Sequence, residues 1–219
     1  MTRAEVHARI EEIGILPAIR VSAPERARFA LEALNQAGIP VAEVTMTVPH
    51  ALDVICAMSR IFPDMVIGSG TVLDAETARQ CLQAGARFLT SPGFVPEVVE
   101  FAVKNDVVVF PGALTPTEVI MAWKAGSDFV KIFPCAEVGG HNYIRTLKVP
   151  LPQVKLIASG GVNQQTASDF ILAGASALGI GGQLMPQEAL SHRNQTQITE
   201  LARRFLHLVK DARARKENA

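Results

Sequence analysis

Short apolar runs alternate with amphipathic segments along the whole chain. Runs near residues 15–20, 40–45, 65–68, 87–90, 107–110, 128–132, 154–158 and 176–180 have the length and apolar content of buried strands. The segments between them, such as Pro24 to Gln36, Ala75 to Gln83 and Pro116 to Lys124, place apolar residues at helical spacing. The punctuation agrees with this division. Ala-Gly recurs at Ala37-Gly38, Ala84-Gly85, Ala125-Gly126 and Ala173-Gly174, each a few residues before an apolar run. A glycine just past the last turn is the usual way to adopt the left-handed conformation that ends a helix. Breaks at Phe62-Pro63, Asn105-Asp106 and the prolines Pro150 and Pro152 mark the units in between. Thr115-Pro116 reads as an N-cap followed by proline at the first helical position.

Eight strand-helix units without a long linker or a shift in composition predict one α/β domain over residues 1–219, a (β/α)8 TIM barrel. A doubly wound sheet would carry a glycine-rich turn after its first strand, and Arg20-Val21-Ser22-Ala23 is not one. Residues 1–13 are expected to form an extra helix ahead of the first strand. Thr196 to Val209 reads as the closing helix, and the charged tail 210–219 is expected to fray.

Composition narrows the partners. Of 219 residues 48% are hydrophobic, and Lys+Arg balances Asp+Glu at 21 each. That balance gives no electrostatic reason to expect nucleic acid or an anionic membrane as partner. The basic stretches Arg203-Arg204 and Arg213 to Lys216 have Asp211 and Glu217 among or beside them and read as a solvated helix face. No apolar run reaches the roughly 18–20 residues of a membrane span. Met1 to Glu12 carries charges of both signs and lacks the apolar centre of a signal peptide. Cys56, Cys81 and Cys135 are odd in number and lack metal-ligand spacing, so reduced thiols in a cytoplasmic protein are expected. His50, His141 and the other histidines show no ligand spacing either, and neither a catalytic metal nor another cofactor is expected.

Barrel enzymes keep their chemistry at the C-terminal ends of the strands. In chain order those ends carry Arg20, Glu43 with Thr45, Thr71, Ser91, Pro111-Gly112, Lys131, Ser159-Gly160-Gly161 and Gly181-Gly182. Lys131 stands in the run Asp128-Phe129-Val130-Lys131-Ile132-Phe133-Pro134. Burying an ammonium there is unfavourable, so the lysine should be neutral or paired, and a neutral amine is nucleophilic towards a ketone. The alternative is a strand-end lysine reaching out to solvent. Glu43 shares a strand face with Val41 and Thr45. Alone it also reads as an ion-pair partner, for instance of Arg20. A carboxylate and a lysine at two strand ends of one barrel suit an acid/base and nucleophile pair. The glycine pairs after the last two strands stand where barrels commonly bind phosphate through bare backbone N–H groups, unless they are tight turns only.

Glu43-Val44-Thr45, Gly70-Thr71-Val72, Ser91-Pro92-Gly93, Pro111-Gly112, Lys131-Ile132-Phe133-Pro134 and Gly160-Gly161-Val162 together resemble a known family in order and spacing. It is that of the bacterial 2-keto-3-deoxy-6-phosphogluconate (KDPG) / 4-hydroxy-2-oxoglutarate (KHG) aldolases, and the likeness runs from about Ile10 to Phe205. It implies a metal-free class I aldolase on a homotrimeric barrel, acting on a small 2-keto acid. The substrate would be a 2-keto-3-deoxy-6-phospho-sugar acid giving pyruvate and glyceraldehyde 3-phosphate, its galactonate epimer, or 4-hydroxy-2-oxoglutarate giving pyruvate and glyoxylate. By the same likeness Lys131 forms the Schiff base and Glu43 carries protons. Thr71 helps hold the carboxylate, and Pro111 and Phe133 wall the pocket. Ser159, Gly160, Gly161, Gly181 and Gly182, by their places at the last two strand ends, would complete the substrate-binding set.

Two positions depart from the pattern. Thr47 stands where some members carry an arginine for the carboxylate; Arg20 matches the arginine that others carry at the end of strand one, and takes that role. Gln183 follows Gly182, where phosphate-binding members often have serine, and its larger side chain would crowd a phosphate or replace a hydroxyl contact. A phosphate-binding isomerase or epimerase without a covalent adduct is the competing reading, and a non-catalytic sugar-phosphate binder is a third.

Overall fold

The computed structural model describes residues 1–218. Its strands are β1 (Ile15–Ile19), β2 (Val41–Thr45), β3 (Val66–Gly70), β4 (Phe88–Thr90), β5 (Val108–Phe110), β6 (Gly112–Ala113), β7 (Val130–Ile132), β8 (Leu156–Ser159) and β9 (Ala177–Ile180). They pair in parallel in the order β5-β4-β3-β2-β1-β9-β8-β7-β6. The sequence predicts eight staves, and the ninth segment arises because Pro111 splits one of them. Proline has no N–H to give to a ladder. β5 therefore pairs with β4 and β6 with β7, on either side of the break. Across it, Asp128 N–H donates to Val109 O (3.0 Å) and Lys131 N–H to Pro111 O (2.9 Å), while Val109 N–H donates to the Asp128 carboxylate (2.9 Å). With its side chain in the ladder, Asp128 precedes β7 instead of opening it.

The helices are α1 (Arg3–Ile13), α2 (Pro24–Gln36), α3 (Ala51–Ile61), α4 (Ala75–Gln83), α5 (Pro96–Lys104), α6 (Pro116–Lys124), α7 (His141–Lys148), α8 (Ala167–Leu172), α9 (Gln187–Ser191) and α10 (Gln195–Glu217). Gly38, Gly85, Gly126 and Gly174, the four Ala-Gly glycines, follow helices with φ of 85°, 102°, 92° and 108°, the region that L side chains avoid. Thr115 caps α6 in a reciprocal box with Glu118. No helix among the described residues is long and apolar enough to cross a membrane.

Two apolar layers follow from strand alternation. Outward-facing Val, Ile and Leu pack under the helices. Inside the ring, Leu16, Val41, Val66, Phe88, Phe129 and their neighbours fill the N-terminal half of the barrel, and Val6 and Ile10 of α1 close its end. Each large side chain buried this way contributes about 1.5–3 kcal/mol. Polar contacts fix the plug. Arg3 grips Asp128 with two nitrogens (2.9 and 3.0 Å), His7 stacks on Phe129 (4.6 Å between centroids), and Lys155 reaches Glu11 (2.8 Å) and His7 (3.3 Å).

The closing helix departs from expectation. It continues past Val209 to Glu217, over charged residues expected to fray. The cause is docking against the barrel's end: Val209 and Ala212 are buried, and the Arg213 guanidinium donates to the carbonyls of Glu11 (2.6 Å), Glu12 (2.7 Å) and Ser176 (3.0 Å). Charged residues beyond Val209 thus include an anchor that composition alone does not reveal.

Candidate active site

Above the floor of Phe88, Phe110 and Phe129 the barrel interior changes character. One step of two residues leads from Phe129, just ahead of β7, to Lys131 within it, and along β2 from Val41 to Glu43. The two polar side chains meet across the ring. Lys131 Nζ lies 3.6 Å from Glu43 Oε2, and the side chains are 11% and 2% exposed. Glu43 therefore pairs with Lys131, not with Arg20. At that separation the pair is a close electrostatic contact and not a formed hydrogen bond. Glu43 Oε2 has no hydrogen-bond partner among the described residues. Most buried side-chain polar atoms have at least one, so this oxygen is left available to a bound group. The Lys131 ammonium also stands 5.7 Å from the centre of the Phe133 ring, within cation–π range.

The pair opens into a cavity of about 460 Å³ at the C-terminal mouth. Arg20, Glu43, Thr71, Lys131 and Phe133 line it together, and so do Ser159, Gly160, Gly161, Gly181 and Gly182. Arg20 is exposed and makes no ion pair among the described residues, which leaves its guanidinium available to an anion. Thr71 holds φ at 60°, a conformation that is uncommon for a β-branched residue and that clusters at functional sites. Thr47, by contrast, is spent on structure. Its hydroxyl bonds that of Thr45 (2.8 Å), which in turn donates to Ile19 O (3.0 Å) and ties β1 to β2.

Pro111 is the exception among the expected residues. It is buried in the split stave and does not line the cavity; its part is the carbonyl that accepts the Lys131 N–H. Pro92 forms the wall on that side. Asn163 and Gln187, not among the residues expected from the sequence, line the mouth with Gln183. Asn163 is legible as a helix-start residue: its carboxamide oxygen accepts the N–H groups of Gln165 (2.9 Å) and Thr166 (3.1 Å) ahead of α8. Cys135, four residues past Lys131, is no rival nucleophile, because burial pushes its thiol up to about 11. Among the described residues no three His, Cys, Asp or Glu side chains gather as a metal site, and all three cysteines are free thiols.

Comparison with known proteins bears directly on this arrangement. The sequence profile of the KDPG and KHG aldolases matches residues 6–201. The chain belongs to that family. The KHG/KDPG aldolase of Escherichia coli (strain K12) is 33% identical over 190 residues, covering 86% of this chain and 89% of the relative. A KDPG aldolase from Legionella pneumophila, solved with pyruvate captured at low pH as a covalent carbinolamine intermediate, superposes with a TM-score of 0.84. It is 31% identical, over 90% of this chain and 96% of that one. A cube-shaped, highly porous protein cage designed by fusing symmetric oligomeric domains matches with a TM-score of 0.86 and 28% identity, over 94% of this chain and 76% of that one. As an aldolase of this family the chain is a carbon–carbon lyase, and the isomerase reading is not favoured.

Proposed function

We propose that this aldolase works through a Schiff base on Lys131, cleaving a 2-keto-3-deoxy-6-phospho-sugar acid of the KDPG type to pyruvate and glyceraldehyde 3-phosphate, and 4-hydroxy-2-oxoglutarate to pyruvate and glyoxylate. One observation carries the reading: a buried lysine and a buried carboxylate 3.6 Å apart, at the mouth of a barrel, inside a cavity of small-molecule size. The Legionella relative, with pyruvate held as a carbinolamine, supports the covalent step.

The geometry suits each stage. Glu43 takes a proton from Lys131, and the free amine attacks the C2 ketone to give a carbinolamine. Loss of water, with the proton returned by Glu43, leaves a protonated imine. Glu43 then accepts the proton of the C4 hydroxyl, directly or through a water. The C3–C4 bond breaks, its electron pair moves into the imine, and the aldehyde departs. Protonation of the enamine at C3 and hydrolysis release pyruvate and restore Lys131. Arg20 takes the substrate carboxylate with its planar fork, assisted by Thr71. Phe133 shields the reacting nitrogen from solvent. Ser159 and the glycine pairs Gly160-Gly161 and Gly181-Gly182 offer a hydroxyl and bare backbone to the distal, phosphate-bearing end.

The chain is further proposed to act as a homotrimer in the cytoplasm. Its likeness to the symmetric oligomeric domains of the designed cage supports an oligomer, and its free cysteines suit a reducing compartment. The test of the activity is pyruvate release from KDPG and from 4-hydroxy-2-oxoglutarate, followed with lactate dehydrogenase in an EDTA-treated sample. Release that survives EDTA is expected. Its absence with both substrates would leave an isomerase or a binding protein.

A further inference from the structure

Glycine at position 70 is required by neither backbone conformation nor strand formation. Its φ lies outside the left-handed region, unlike that of Gly38, Gly85 or Gly174, and glycine inside a strand weakens it. Space is the reason instead. A Cβ on Gly70 would stand 1.8 Å from Glu43 Oε1, 2.3 Å from Cδ and 2.6 Å from Cγ, and these three atoms of Glu43 are its nearest neighbours. β2 and β3 pair with Glu43 opposite Gly68 and Thr45 opposite Gly70, so the Glu43 side chain leans along the strand and comes to rest on Gly70.

No hydrogen bond among the described residues fixes the carboxylate there, and its one ion-pair partner among them is Lys131, 3.6 Å from Oε2. A glutamate has three side-chain torsions to restrain. A seat of bare backbone restrains them without a polar partner that would compete for the proton the carboxylate has to move. We infer that Gly70 is a positioning residue: the missing side chain is what lets Glu43 hold its place beside Lys131. This rests on the Schiff-base reading for its chemistry, though the steric relation stands without it.

The test is a double-mutant cycle between Gly70→Ala and Glu43→Ala, with pyruvate adduct trapping on the wild type as a control for the reading itself. Oε1 would have to move by more than an ångström to clear the added methyl group, and a displacement of that size can lower turnover by about 100-fold. Gly70→Ala should therefore lower kcat by about that factor, with the KM for substrate nearly unchanged. In the Glu43→Ala background the same change should lower kcat by less than about 3-fold, because the clashing side chain is gone. Equal effects in both backgrounds, or a Gly70→Ala enzyme of normal turnover, would overturn the inference. Should Gly70→Ala fail to fold, the cycle is read in melting temperature. The double variant is then expected to regain a cooperative transition, and a double variant that also fails to fold would assign the clash to something other than Glu43. Wild type that traps no pyruvate would sink the chemical reading and leave the steric result standing.

Discussion

Replacing Lys131 by Met keeps the volume of the side chain but leaves the Glu43 carboxylate buried without its counter-charge. Removing one partner of a buried ion pair typically destabilises a protein by about 3–5 kcal/mol. Here Glu43 is 1% exposed and Lys131 9%, but the two are 3.6 Å apart and face an open cavity. Those features weaken the pairing and place the loss near the lower end, about 3 kcal/mol. In a chain of this size each kcal/mol lowers the melting temperature by about 2–4 °C, so a drop of roughly 6–12 °C is expected. Adding Glu43→Leu removes the stranded charge, and the double variant should return to within about 1 kcal/mol of wild type or exceed it. Circular-dichroism melts and urea titrations of wild type, the two single variants and the double variant measure both effects, while every variant lacking Lys131 should be inactive. A Lys131→Met protein as stable as wild type, with no rescue by Glu43→Leu, would refute the claim that the two side chains compensate one another.

Other consequences are open to simpler assays. Arg20→Ala should raise the KM for the keto acid by more than about 10-fold, the loss of roughly 1.4 kcal/mol or more expected for a charge-assisted contact, with a smaller change in kcat; an unchanged KM would return the carboxylate contact to another group. His7 gives a pH dependence. Burial, and next the Lys155 charge, hold His7 below its ordinary value of 6.5, against the opposing pull of Glu11 and Asp128. The folded protein binds that proton less readily than the unfolded chain, so stability is full above about pH 6.5 and declines as the pH falls through the lower folded value. Melts at several pH values should show this decline, and His7→Phe, which keeps the stack on Phe129, should flatten it. Identical slopes would show that His7 does not contribute.

Much of the barrel is legible in the sequence because its signals are local. A glycine after each marked helix and an apolar run a few residues later place strands and helices without any knowledge of their neighbours. Lys131 and Glu43 stand out for the same reason, each being a charge inside an apolar run. What escapes the sequence depends on pairs of distant residues. Pro111 is visible in the chain as a residue without an N–H, but which ladder it interrupts follows from the carbonyls that Asp128 and Lys131 find on the neighbouring stave. The partner of Glu43 is likewise undecided between Arg20 and Lys131 until the ring brings β2 and β7 face to face. The ordered end of α10 rests on Arg213 meeting carbonyls about two hundred residues away in sequence. Gly70 is visible as part of Gly70-Thr71-Val72, but the reason for it is a side chain on the neighbouring strand.

The proposed chemistry turns on Lys131 as the nucleophile. Incubation with pyruvate and borohydride, followed by intact mass spectrometry and peptide mapping, tests it most directly. One reduced pyruvyl adduct per chain is expected, on the peptide that carries Lys131, and none in Lys131→Met. A folded protein that takes up no adduct, or takes it up on another lysine, would contradict it.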